Sequence, residues 1–195
     1  MDTSTKLISN EQLDKHISES TYSMNSLGIC LDYSFVIKSV TLNWYDILFA
    51  IENGYLSCQS AVEHASLQLE VTESYSQAVL DLACLKSDEA NHLCVVQPYI
   101  NELADKVSVH DKNVSKQKML YVILKWVFEN RGKYLDPLKL VEIIYADFDY
   151  PDAISSFVRY MPPSKPNMGM TKSKNEKLFD NWSNFLDMQR AIFAN

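Results

Sequence analysis

Thr41-Leu42-Asn43-Trp44-Tyr45-Asp46-Ile47-Leu48-Phe49-Ala50-Ile51-Glu52-Asn53-Gly54-Tyr55-Leu56-Ser57 is the stretch from which the fold class follows. Thr41 can cap a helix on which Trp44, Tyr45, Ile47, Leu48 and Ile51 recur at helical spacing, and Asn53-Gly54 supplies the left-handed stop common at helix ends. Ser57 can cap the next helix, where Cys58, Ala61, Val62, Ala65 and Leu69 follow the i, i+3, i+4 rule. Two amphipathic helices joined by a short turn make a helical hairpin, and the pattern continues in both directions along the chain.

Downstream, Ala78, Val79, Leu82 and Ala83 mark a third helix. Ser87-Asp88-Glu89 opens a fourth with acids in its first turn, and Pro98 predicts a break or kink just before it, ahead of a segment through Tyr99, Ile100 and Leu103. Met119, Leu120, Ile123, Leu124, Trp126, Val127 and Phe128 are apolar over more than half a helical circumference, which predicts a central helix ending at Asn130-Arg131-Gly132. Asp136-Pro137 is an N-cap followed by proline at the first helical position, introducing Leu138, Val141, Ile144 and Tyr145. Tyr150-Pro151-Asp152 repeats the device for a short helix carrying Ile154, Phe157 and Val158. A Pro-rich linker over 163–173 then leads to a C-terminal amphipathic helix, 174–195, whose Leu178, Phe179, Trp182, Phe185, Leu186 and Phe193 must dock on the core to leave water.

Upstream, residues 1–27 are polar, with Asn10 able to cap a weak helix through Leu13 and Ile17. Ile29, Leu31, Tyr33, Phe35 and Ile37 alternate with other residues, which suggests a short strand near residues 28–38, a helix being the alternative. The expected architecture is mainly α: a polar segment 1–27, one multi-helix core domain of helical hairpins over 28–162, the linker, and the docking helix.

The 195 residues carry 18 Lys+Arg and 25 Asp+Glu, a net charge of −7, and 47% are hydrophobic, which excludes a disordered or disulfide-stapled chain. The charge is uneven: residues 1–100 hold 13 acids and 4 bases, residues 101–195 hold 12 acids and 14 bases. An acidic first half repels phosphate and would attract a basic protein. Cys30, Cys58, Cys84 and Cys94 have no CxxC spacing and read as reduced, small, buried hydrophobes, three of them (Cys58, Cys84 and Cys94) on apolar helix patterns, in a cytoplasmic protein. No signal peptide is visible at the N-terminus, and no run is long enough to cross a bilayer.

Motifs of chemistry are sparse. His16, His64, His92 and His110 lack metal-ligand spacing, and Glu63-His64 are neighbours that point about 100° apart on a helix. Gly28, Gly54, Gly132 and Gly169 stand alone, so there is no P-loop, dinucleotide fingerprint or nucleophile elbow, and no cofactor is expected. Asp147, Asp149 and Asp152 are the one group resembling a hard-metal site, with helix capping as the competing role, and Arg159 could pair with Asp152. Lys112, Lys116, Lys118, Lys125, Arg131, Lys133 and Lys139 interleave with Tyr121 and Trp126, but Trp126 shares the apolar face, so the stretch reads as a solvated rim and not a nucleic-acid track.

Trp44 to Ser57, and Asp136-Pro137 through Ile144-Tyr145-Ala146-Asp147-Phe148-Asp149-Tyr150-Pro151 to Phe157-Val158-Arg159-Tyr160-Met161-Pro162, resemble an uncharacterised bacterial family known only as a numbered domain of unknown function, over roughly 41–162. The resemblance implies a helical bacterial protein of the kind found as immunity proteins beside secreted toxins, and it carries no catalytic residues. The expected function is therefore a monomeric, non-enzymatic immunity protein. It would occlude the basic active site of a cognate antibacterial toxin, such as a nuclease of a contact-dependent growth inhibition system, in a 1:1 complex, without nucleic acid or membrane. Candidate contacts are Asp46, Glu52, Glu63, Glu70, Glu73, Asp81, Asp88 and Glu89, with Tyr55 and Tyr75 as aromatic anchors. The alternatives are a metal-dependent hydrolase centred on Asp147, Asp149 and Asp152, and a helical adaptor for a partner peptide.

Overall fold

A computed structural model of the chain describes residues 8–108, 111–162 and 173–193. The chain is mainly α: α1 Asn10–Glu19, α2 Tyr33–Ile37, α3 Trp44–Glu52, α4 Gln59–Val71, α5 Gln77–Ala83, α6 Ser87–Ala90, α7 Leu93–Asp105, α8 Lys112–Glu129, α9 Pro137–Asp147 and α10 Lys174–Phe193, with 3-10 turns at Arg131–Lys133 and Asp152–Phe157. Two compact units divide it, Ile29–Met119 and a second built from Met1–Gly28 with Leu120–Asn195, so the boundary falls inside α8.

In the Ile29–Met119 unit, α3 is capped by Asn43 and not by Thr41. The Asn43 side chain accepts from the Asp46 backbone N–H (2.9 Å), and Asp46 accepts in return from that of Asn43 (3.0 Å), a reciprocal box that satisfies two otherwise orphaned donors. Gly54 takes φ +70 just beyond α3, and the Tyr55 N–H reaches back to the Ala50 carbonyl (2.8 Å). The chain thereby reverses and buries Tyr55 and Leu56. α4 then packs on α5, and α3 and α5 pack on α7.

Two expectations about the path of the backbone fail in this unit. Residues 33–37 form the helical turn α2 and not a strand, since Phe35 and Val36 donate to the Asp32 carbonyl while Tyr33 and Val36 turn inward. A lone strand would have left its backbone groups unpaired, and a helical turn pairs them locally. Pro98 does not break its helix: α7 runs through it with the ring exposed, at the cost of one missing backbone donor. The cysteines also differ from expectation. Cys30, Cys84 and Cys94 are exposed and Cys58 half-buried: Cys30 lies in the loop before α2, Cys58 and Cys84 cap helix ends, and on α7 the buried side falls to Val96, Ile100, Leu103 and Ala104 and not to Cys94.

In the second unit, Ser9 and Gln12 form the capping box of α1, replacing the expected Asn10 cap. Ile8 bridges to Tyr134 through two backbone hydrogen bonds with Lys133 and Leu135 (3.0 and 3.1 Å). The α8 residues Leu120 to Leu124 and Val127 are buried, as the apolar circumference required. Asp136 caps α9 with Pro137 behind it. Ser173 and Glu176 form a capping box on α10, while the rest of the expected linker, 163–172, lies outside the described residues, as does His110. Trp182 is fully buried, its ring stacked at 4° to Phe157 and edge-on to Phe128 (centroids 6.0 and 5.1 Å). The C-terminal helix thus docks as its stripe of aromatics predicted.

Candidate binding groove

On α4, His64, Leu67, Gln68 and Val71 stand at i, i+3, i+4 and i+7, a face distinct from the Ala61, Val62 and Ala65 face that enters the core. Tyr33 and Ile37 of α2, Val40 to Asn43 of the following loop, Trp44 and Val107 complete an apolar groove of about 460 Å3. That size lies within the range of ligand and side-chain pockets. A second hollow of about 390 Å3, lined by Ser74, Tyr75, Ser76, Val79, Leu103 and Lys106, shares Trp44, Gln68 and Val107 with the first, so the two adjoin.

Two hydrogen bonds fix its polar atoms. The Tyr33 hydroxyl lies 2.7 Å from His64 Nδ1, and Trp44 Nε1 donates to Gln68 Oε1 at 2.9 Å. The imidazole also meets Trp44 edge-on, ring centroids 4.7 Å apart. Burial lowers the His64 pKa to about 4, opposed by the Asp46 charge, so the ring is neutral at pH 7. Burial, assisted by the charge of Glu63, raises Tyr33 to about 12. The result is an uncharged apolar groove with fixed hydrogen-bonding groups, suited to binding.

The pH dependence of stability follows from His64. Between pH 6.5 and about 4 the unfolded imidazole binds a proton that the folded one refuses, so stability falls as pH drops through that window and levels off below it. Denaturation midpoints at pH 7 and pH 4.5 are expected to show a loss on the order of 2 kcal/mol that His64→Phe abolishes. An unchanged pH slope in that variant would refute the assignment.

The residues nominated from sequence divide sharply by burial. Glu52, Glu63, Glu70, Glu73, Asp81, Asp88, Glu89 and Tyr75 are exposed. Tyr55 is 1% exposed and anchors the turn after α3. Asp46 is 1% exposed and accepts from Ser115 Oγ (2.5 Å) and Lys118 Nζ (2.6 Å) of α8. Neither Tyr55 nor Asp46 is available to a docking protein, because each satisfies the interior of its own fold.

The three aspartates of the metal alternative are likewise separated by role. Asp147 accepts from the backbone N–H and hydroxyl of Ser26 (2.8 and 2.6 Å). Asp149 and Tyr150 adopt left-handed φ values of 61 and 56, and Asp152 opens the 3-10 turn without a side-chain cap. Among the described residues, no group of three His, Cys, Asp or Glu side chains is placed to hold a metal ion. Arg159 pairs not with Asp152 but with Glu142, through two bonds of 2.8 and 3.0 Å, and with Asp136 at 2.8 Å. The groove itself was missed, although the second stripe on α4 was a signal for it. Tyr33 and His64 are 31 residues apart and only the fold joins them.

Fold and groove define a mainly α protein with an apolar groove in an acidic helical unit. The chain belongs to the DUF2247 family, described as an uncharacterized protein conserved in bacteria, whose model matches residues 33–190. The match runs from the groove tyrosine into the C-terminal helix, beyond the 41–162 that the motifs suggested. No curated protein matches the chain, and no solved structure does. No described helix is long and apolar enough to cross a membrane.

Proposed function

We propose that the chain is an immunity protein that binds and neutralises a cognate antibacterial toxin, a nuclease of a contact-dependent growth inhibition system, by covering its basic active site. The supporting observation is the location of charge. The Ile29–Met119 unit holds 12 acids and 6 bases, whereas the other unit holds 13 and 12, so nearly all of the net −7 belongs to one unit. Seven of its carboxylates, Glu52, Glu63, Glu70, Glu73, Asp81, Asp88 and Glu89, are exposed. A toxin that grips nucleic acid is basic at its site, and opposed potentials raise the rate and specificity of encounter.

Co-expression with the product of the neighbouring gene tests this. The expected outcome is a stoichiometric complex, protection of cells from that product, and an association rate falling about tenfold between roughly 0.05 and 0.5 M salt as exposed charges are screened. Failure to protect, with no complex at low salt, overturns the reading.

A further inference from the structure

We infer that the two adjoining hollows around Trp44 are the docking site for an apolar segment with basic flanks on the protein partner. The inference rests on the proposed function and names the surface that would carry it. The two hollows share Trp44, Gln68 and Val107 as a common wall, and side by side they extend the open surface from Tyr33 to Tyr75. Its apolar surface is open to solvent: Val71 is 74% exposed and Tyr75 48%. Such side chains at the mouth of a preformed groove are the kind that a partner's bulky residue covers at the centre of an interface.

Charge selects the occupant. Glu63 and Glu70 each precede a groove residue, His64 and Val71, by one position on α4, so both lie about 100° round the helix along one flank of the groove. Glu63 is near enough to act on the Tyr33 hydroxyl, which places its charge beside the groove. Glu73 follows, next to the Ser74 and Tyr75 of the second hollow. Lys106 is the one cation among the described lining residues and already has Glu102 beside it at the surface, and His64 is neutral, so the glutamates around the site outnumber its cations. An acyl anion or acidic peptide is therefore disfavoured, whereas a segment with an apolar ridge and Lys or Arg beside it satisfies both the groove and its glutamates.

Two variants test this without touching the core. Val71→Lys puts a cation at the mouth from an exposed position, and Glu63→Gln with Glu70→Gln removes the flanking charge. With the neighbour-encoded toxin, Val71→Lys is expected to weaken binding tenfold or more, and the glutamine pair to flatten the salt dependence. In parallel, a helical Leu/Lys peptide titrated against the intact protein should change Trp44 fluorescence and be released by Val71→Lys, while its Leu/Glu counterpart does not bind.

Toxin binding unchanged in Val71→Lys would overturn the groove and leave the immunity reading standing. Absence of any toxin complex alongside selective Leu/Lys binding would do the reverse. A groove that takes the neutral dye Nile red but shows no preference for the basic peptide would be a small-molecule site. A self-dimer dissolved by Val71→Lys would make the occupant a second copy, and either result also overturns the proposal.

Discussion

Asp46→Ala is expected to lower stability by about 3–5 kcal/mol, a large part of the total for a protein of this size. The carboxylate is buried and does three jobs at once. It accepts from Ser115, pairs with Lys118, whose side chain is only 15% exposed, and closes the N-terminal box of α3. Deleting it leaves an ammonium with little solvent, a buried hydroxyl without its acceptor and an orphaned Asn43 N–H. Each is a penalty on top of the lost attraction. Removing both charges together should cost less, because most of the loss comes from stranding the remaining partner and little from the attraction within the pair. Urea denaturation of Asp46→Ala, Lys118→Met and the double variant measures this. A loss under about 1 kcal/mol for Asp46→Ala, or strict additivity in the cycle, would contradict it.

Trp182→Ala should cost a comparable amount, about 3–5 kcal/mol, by emptying a fully buried ring site between Phe128, Phe157 and Phe179. Trp182→Phe is expected to retain most of the stability. It keeps an aromatic face against Phe157, and it removes a buried indole N–H that has no hydrogen-bond partner among the described residues. Hydrogen exchange should locate the damage: amides of α10 lose protection in Trp182→Ala first, since that ring is the most deeply buried side chain of the helix. Thermal unfolding that ranks Phe below Ala would show the site is not governed by volume.

The Asp46 case shows how far the sequence could be read. Its place three residues after Asn43 is a legible capping signature, and its charge made it a reasonable surface contact. Its actual partners lie 69 and 72 residues away on α8, and no local pattern encodes them. The Asp136-Pro137 start, the Gly54 stop and the aromatic stripe of α10 were all readable, because each is a local matter of backbone donors, φ and helical spacing. Alternation over 29–37 misled for the same reason. A period of two marks a strand only where neighbouring strands exist to pair with it, and among the described residues none does.

By itself, then, the sequence determined a helical chain, the ends of most of its helices, the apolar face of each and an excess of acid in its first half. These follow from interactions spanning no more than a few residues. Tertiary structure alone decided which acids stay in water, that Arg159 clasps Glu142 and Asp136, and that Tyr33, Trp44, His64 and Gln68 meet around one groove. The physical reason is that burial and desolvation belong to positions in space. A carboxylate or an imidazole acquires its chemistry from whatever the fold packs against it, and those neighbours come from distant parts of the chain.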